Sequence, residues 1–138
     1  MTFKNPSDLV IQDYLKNAKN IAVVGLSDKE DRTSHEIARI LQNQGYRIFP
    51  VNPVLAGKQI LGETVYASIK DISEPIDIVD IFRRSEFLPE IAEEFVETDA
   101  KVFWAQLGLE SEKAADILAQ HHRDAVVMNR CIKIELAK

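Results

Sequence analysis

Ile21-Ala22-Val23-Val24-Gly25-Leu26-Ser27 is a short apolar run, rich in β-branched residues, that stops at a glycine. A strand buried on both faces of a parallel sheet reads this way, without the alternation of a half-exposed strand. The polar turn that follows contains Asp31-Arg32-Thr33-Ser34 and leads into a helical pattern with Ile37, Ile40 and Leu41 on one stripe. The first backbone N–H groups of that helix have no intrahelical partner, and its dipole is positive at the same end. Strand, glycine turn and helix N-terminus together suit an anion, and a phosphate-bearing ligand above all. The run is not the G-x-G-x-x-G of ordinary dinucleotide enzymes.

Working outward, residues 7–19 carry Leu9, Ile11, Tyr14, Leu15 and Ala18 at mostly helical spacing, with Ser7 or Asp8 as N-cap. Strands are predicted at 21–26, 47–51, 76–82, 101–104 and 125–128, and helices at 34–44, 85–97 and 111–121. Gly45 ends the first of those three helices. Residues 54–74 are irregular, and a short tail follows the last strand. Alternation of strands and helices implies βαβ units with right-handed crossovers. The expected fold is a single α/β domain over 1–138, a Rossmann-like three-layer arrangement. Its five-stranded parallel sheet has the order 3-2-1-4-5 with helices on both faces, and 1–19 packs on it as a helical extension. Strands one and four then flank the switch point, where ligands bind outside the carboxyl ends.

The 138 residues are of one-domain size, enough to bury roughly 70% of the unfolded surface. A net charge of −5 disfavours a nucleic-acid partner, so recognition of phosphate must be local. No apolar run approaches the ~20 residues that span a bilayer, and the first residues lack a secretory apolar core. The single cysteine, Cys131, excludes an internal disulfide and a cysteine-based zinc cluster. The cytoplasm is the default location.

Residues just after each strand carry the ligand question. Gly25 admits close backbone approach, and Ser27 places a hydroxyl beside it. Arg32 suits bidentate phosphate contact, or a surface ion pair with its acidic neighbours worth ~0–1 kcal/mol. Ser34 reads as the N-cap of the next helix. After the second strand stands Asn52-Pro53, where an NAD-binding protein carries an acid for the ribose 2′-hydroxyl. That absence counts against NAD, and Arg47 lies at the wrong end of its strand for a 2′-phosphate. Asn52-Pro53 serves either as a turn lining an adenine pocket or as a strand stop alone. Phe82-Arg83-Arg84-Ser85 brings two arginines to the third strand end. At least one suits a phosphate, Arg83 before Arg84, unless both pair with Glu86, Glu90 or Asp80.

Trp104 offers an apolar wall with one N–H donor and Gln106 a donor and an acceptor, although core and cap roles fit equally. Cys131 is a nucleophile only if something lowers its pKa, with Arg130 the one local candidate; an inert thiol is the competing reading. His35 caps or lines the first loop. No acid–base pair, nucleophile triad or metal-ligand spacing stands out.

Six stretches, in order, closely resemble the small CoA-binding proteins of the Rossmann type, relatives of the amino-terminal domain of the succinyl-CoA synthetase α subunit. They are the opening run, Asp31-Arg32-Thr33-Ser34, Gly45-Tyr46-Arg47-Ile48-Phe49-Pro50-Val51-Asn52-Pro53, Asp77-Ile78-Val79-Asp80-Ile81-Phe82-Arg83-Arg84, Val102-Phe103-Trp104-Ala105-Gln106-Leu107-Gly108 and Val127-Met128-Asn129-Arg130-Cys131-Ile132-Lys133. The resemblance implies CoA at the carboxyl edge. Its phosphates would meet Gly25, Ser27, Arg32 and Ser34. Its adenosine would lie near Asn52, Pro53, Phe82 and Arg83, with Lys58 as partner of the ribose 3′-phosphate. Such proteins usually have a small residue where this chain has Leu26, so Leu26 is expected to narrow the pocket, and often a proline at Thr33.

Neither the synthetase's second, histidine-bearing α domain nor its nucleotide-grasping subunit matches any part of this chain, so complete thiokinase chemistry is not expected of it. The expected function is binding of CoA or acyl-CoA, as a carrier, sensor or regulatory module. The alternative is an NAD(P)- or acyl-CoA-using enzyme with Cys131 as acyl acceptor or redox thiol. A homodimer or a protein partner is compatible with the sequence but carried by no motif.

Overall fold

The computed structural model describes residues 2–138. In chain order the elements are α1 (Asp8–Asn17), β1 (Asn20–Val24), α2 (Thr33–Asn43), β2 (Arg47–Val51), a hairpin of β3 (Gln59–Ile60) and β4 (Glu63–Thr64), β5 (Ile78–Ile81), α3 (Leu88–Phe95), β6 (Val102–Ala105), α4 (Glu112–Gln120), β7 (Val126–Val127) and α5 (Ile132–Leu136). Ser7 caps α1 as expected, its hydroxyl accepting from the Val10 N–H. Gly45, at φ +98°, ends α2. The predicted helix 85–97 is a 3₁₀ turn, Ser85–Phe87, followed by α3 with Pro89 in its first turn, a position where a missing N–H costs nothing. The tail forms α5, which the sequence reading did not foresee.

Five strands form one parallel sheet in the order β2-β1-β5-β6-β7. Both its faces are covered, as predicted for a Rossmann-like α/β fold. Beyond β2, a single parallel bridge joins Tyr66 to Val51. Counted as the outermost place, Tyr66 completes the 3-2-1-4-5 pattern with β2, β1, β5 and β6. The segments filling those places differ from the expectation. Residues 76–82 stand beside β1, not at the outer edge, and 101–104 lie one place further out. The switch point is therefore flanked by β1 and β5.

Pro50 accounts for the reduced edge. Its carbonyl accepts from the Tyr66 N–H at 2.9 Å, and on that same side of β2 proline has no N–H to give, so pairing stops after one bridge.

Alternate residues of each strand divide between two apolar layers. Ala22, Val24, Phe49, Val79, Ile81 and Phe103 pack under α3 and α4. Ile21, Val23, Ile48, Ile78, Trp104 and Val127 pack under α1, α2 and α5. Ile11 and Leu15 of α1 are fully part of the second layer, and each such buried side chain contributes roughly 1.5–3 kcal/mol. Asn5 fastens the amino-terminal segment by giving and taking a hydrogen bond with the Met128 backbone. The carboxyl ends of β1, β2 and β5 thus meet on a fixed platform.

Candidate functional site

Gly25 sits at the centre of that edge. Its N–H donates to Val51 O at 2.8 Å, while Phe82 N–H donates to Val24 O at 2.8 Å, so three strand ends are tied at one point. Gly25 has φ +85°, and a Cβ there would lie 2.6 Å from Phe82 O and 3.2 Å from Arg83 Cδ. Only glycine fits such an approach.

The loop between β1 and α2 is braced from within. Ser34 does not cap α2: Arg32 holds the N-cap position without a side-chain cap bond, and the buried Ser34 Oγ accepts from Ser27 N–H at 3.0 Å. The Ser27 hydroxyl accepts from Lys29 N–H, and His35 Nδ1 donates to Ser27 O. Asn52 links this loop to the next, donating from Nδ2 to Leu26 O and accepting at Oδ1 from Val54 N–H. The Asn52-Pro53 turn therefore does more than stop a strand.

Two of the sequence-predicted ligand residues face the core instead. Leu26 is fully buried in the second layer and does not narrow the edge. Trp104 is fully buried as well, its indole N–H donating to Arg130 O at 2.8 Å. It occupies the middle of a sheet covered on both faces, which leaves it no route to a ligand. Lys58 is exposed, with its backbone bonded to Leu55 and Val65 around the hairpin.

The cations sort themselves by their partners. Arg84 pairs with Glu86 at 3.6 Å, both exposed. Arg83 makes no ion pair among the described residues; its guanidinium stacks over the Phe87 ring, 4.5 Å from the centroid. Arg32 is exposed and likewise meets no carboxylate among the described residues. Arg130 is engaged by Asp8 and Glu135, at 3.4 and 3.5 Å, so it is not free to serve the Cys131 thiol.

Arg83, next to Phe82, lines two cavities. A small one of about 70 Å³ lies among Val24, Val51, Pro53, Phe87 and Glu90. A larger one of about 430 Å³ lies among Thr33, Ile37, Phe82, Gln106, Cys131 and Ile134. A third, of about 500 Å³, opens at the amino end of the sheet beside Glu74, Glu97 and Asp99; its charge is wrong for a phosphate. Below the edge, Asp80 is wholly buried, and neither carboxylate oxygen has a hydrogen-bond partner among the described residues. Burial pushes its pKa well above the usual aspartate value, and it makes no ion pair with either arginine of the third strand end.

Thr33 and Leu107 lie in the predicted strand-end loops but were given no ligand role, and Ile37 and Ile134 were not expected at the edge. Ile37 reads as part of an ordinary apolar stripe, and Ile134 belongs to the unforeseen α5.

A doubly covered parallel sheet, with two arginines near its carboxyl switch point that meet no carboxylate among the described residues, defines a Rossmann-like α/β domain. The chain belongs to the CoA binding domain family, whose model matches residues 19–137. It is 52% identical over 131 residues to the uncharacterized protein YneT of Bacillus subtilis, covering 95% of each chain. It is 30% identical over 121 residues to the α subunit of acetate–CoA ligase (ADP-forming) I of Pyrococcus furiosus, covering 80% of this chain and 26% of that one. The chain thus spans about a quarter of the ligase subunit's length. The solved structure of cell-free ID.343 from Thermus thermophilus superposes with a TM-score of 0.90 at 34% identity, covering 96% of this chain and 98% of that one. The kinship with CoA-ligase α subunits expected from the sequence holds. No helix among the described residues is long and apolar enough to cross a membrane.

Proposed function

We propose that the carboxyl edge binds coenzyme A, and that the protein acts as a cytoplasmic binding module, a carrier, sensor or regulatory subunit. The observation that carries this reading is Arg83. A guanidinium without a carboxylate partner among the described residues, held over Phe87 on the wall of the larger cavity, is placed to receive an anion there. In this reading the pyrophosphate lies over Gly25 and the Ser27 hydroxyl, with Arg32 and Arg83 as counter-charges. The adenosine part rests by Asn52 and Pro53, with Lys58 toward the 3′-phosphate, and the thiol end points to the cavity that Cys131 lines. Thermal unfolding with and without CoA tests it. At ~100 times its dissociation constant a ligand adds about 2.7 kcal/mol, and an unmoved transition would overturn the assignment.

A second reading is favoured by the half-buried Cys131 on the larger cavity. Its thiolate would attack the thioester carbonyl of an acyl-CoA, leaving an acyl thioester on Cys131 and releasing the CoA thiol. Mass spectrometry after incubation with acetyl-CoA should then show an acyl adduct that Cys131→Ser abolishes. An unmodified wild-type chain would exclude this reading.

A further inference from the structure

We infer that the cavity of about 430 Å³ is an acyl subsite, with the Gln106 side-chain amide as donor to a thioester carbonyl and apolar walls for an aliphatic chain. This inference rests on the CoA reading and names the form of CoA preferred: an acyl thioester over the free thiol.

Gln106 supplies the first argument. It is 5% exposed, and its Oε1 accepts from Ile132 N–H at 3.1 Å. An N–H can only face the amide oxygen, so this bond fixes the orientation of the whole side chain and turns the NH₂ group away from Ile132. That NH₂ donates to no group among the described residues, although Gln106 lines the cavity. At the cavity wall this group stands open to an acceptor that enters the cavity. A carbonyl oxygen is such an acceptor, and a free thiol is a poor one.

The walls supply the second argument. Ile37, Phe82, Leu109 and Ile134 face the cavity beside Cys131. Leu107 and Ile134, at its rim, are 63% and 52% exposed, among the few large apolar side chains left bare. Free CoA would bring only a sulfhydryl here and leave these surfaces wet. An aliphatic acyl group covers them, and its volume demand is within the usual range of small-ligand cavities. Charge complementarity fixes the direction of entry: Arg83 and Arg84 stand on the same cavity, toward the phosphate end of the ligand. The carbonyl would then sit at Gln106 and the chain among the apolar side chains.

Titration calorimetry with CoA, acetyl-CoA, butyryl-CoA, hexanoyl-CoA and the thioether S-hexyl-CoA separates the parts. Affinity should rise from acetyl to hexanoyl by roughly two- to fourfold per methylene. Hexanoyl-CoA should exceed the thioether, which lacks the carbonyl, by roughly three- to tenfold. In Ile134→Asp and Leu107→Asp, both at solvent-exposed positions, the preference for hexanoyl-CoA over CoA should vanish. Equal binding of CoA and hexanoyl-CoA by the wild type would overturn the acyl subsite and leave the CoA reading standing. Equal binding of thioester and thioether would remove Gln106 as the carbonyl donor. Binding of none of the five would overturn the CoA reading itself.

Discussion

A side chain on Gly25 has no room, because the carbonyl oxygen of Phe82 stands 2.6 Å from where its Cβ would be. This contact joins the ends of β1 and β5 at the switch point, next to Arg83, which lines two cavities. Replacement by alanine adds a left-handed backbone penalty to the clash. Gly25→Ala should therefore lose roughly 1–3 kcal/mol of stability in urea unfolding, with Gly57→Ala as a reference at a positive-φ glycine with open space around it. Equal losses in the two variants would show that the approach to Phe82 costs nothing beyond φ.

Asp80 and Asp77, three residues apart, should give opposite pH dependences. Burial raises the Asp80 carboxyl well above the ~3.9 of an unfolded aspartate. Its contribution to stability is thus fully present below about pH 4 and declines as the pH climbs toward the folded value. At Asp77 desolvation works upward, but hydrogen bonds from Asn20 N–H and Lys19 N–H, with Lys101 nearby, outweigh it and lower the pKa. That contribution is present above about pH 4 and lost as the pH falls through the folded value. Chemical unfolding from pH 3 to 8 should show Asp80→Asn gaining on the wild type as pH rises, and Asp77→Asn losing on it. A pH-independent difference for Asp80→Asn would mean that its carboxyl is not neutral in the folded chain.

Ser34→Ala should cost roughly 1–3 kcal/mol, because it leaves the Ser27 N–H without its acceptor. The same substitution at a solvent-exposed N-cap would act on helix content alone. Here hydrogen exchange at Ser27 should accelerate while exchange within α2 stays unchanged, and faster exchange through α2 would restore the capping role.

The difference at Ser34 shows what a sequence of this kind conceals. A hydroxyl before a helical stripe satisfies its own helix or the preceding loop with the same residue pattern, and only the path of the loop decides. The opening run, the strand ends and the cap at Ser7 were legible because each rests on local chemistry. Trp104 was misplaced because its position one residue from the end of β6 suggested the edge, whereas coverage of both faces buries it. Asp80 looked like a partner for arginines, yet it stands inside a continuously buried strand, and that run was the available signal. The place of β5 beside β1 depended on Tyr66 holding the outer edge, which a single bridging residue cannot announce. α5 is only five residues long, too short for a periodicity to register.

Among the arginines, Arg83→Ala should weaken CoA binding by roughly 1.5–3 kcal/mol, while Arg84→Ala, exposed and paired with Glu86, should cost ~0–1 kcal/mol. Dissociation constants from calorimetry check the ranking. An unchanged constant in Arg83→Ala would remove this residue from the site.

Titration calorimetry of the wild-type protein with CoA, dephospho-CoA and NAD is the most direct test of the central claim. CoA should bind roughly tenfold or more tightly than either of the others, the equivalent of one charge-assisted contact to the 3′-phosphate. Equal and millimolar-weak binding of all three would contradict the assignment of the carboxyl edge to coenzyme A.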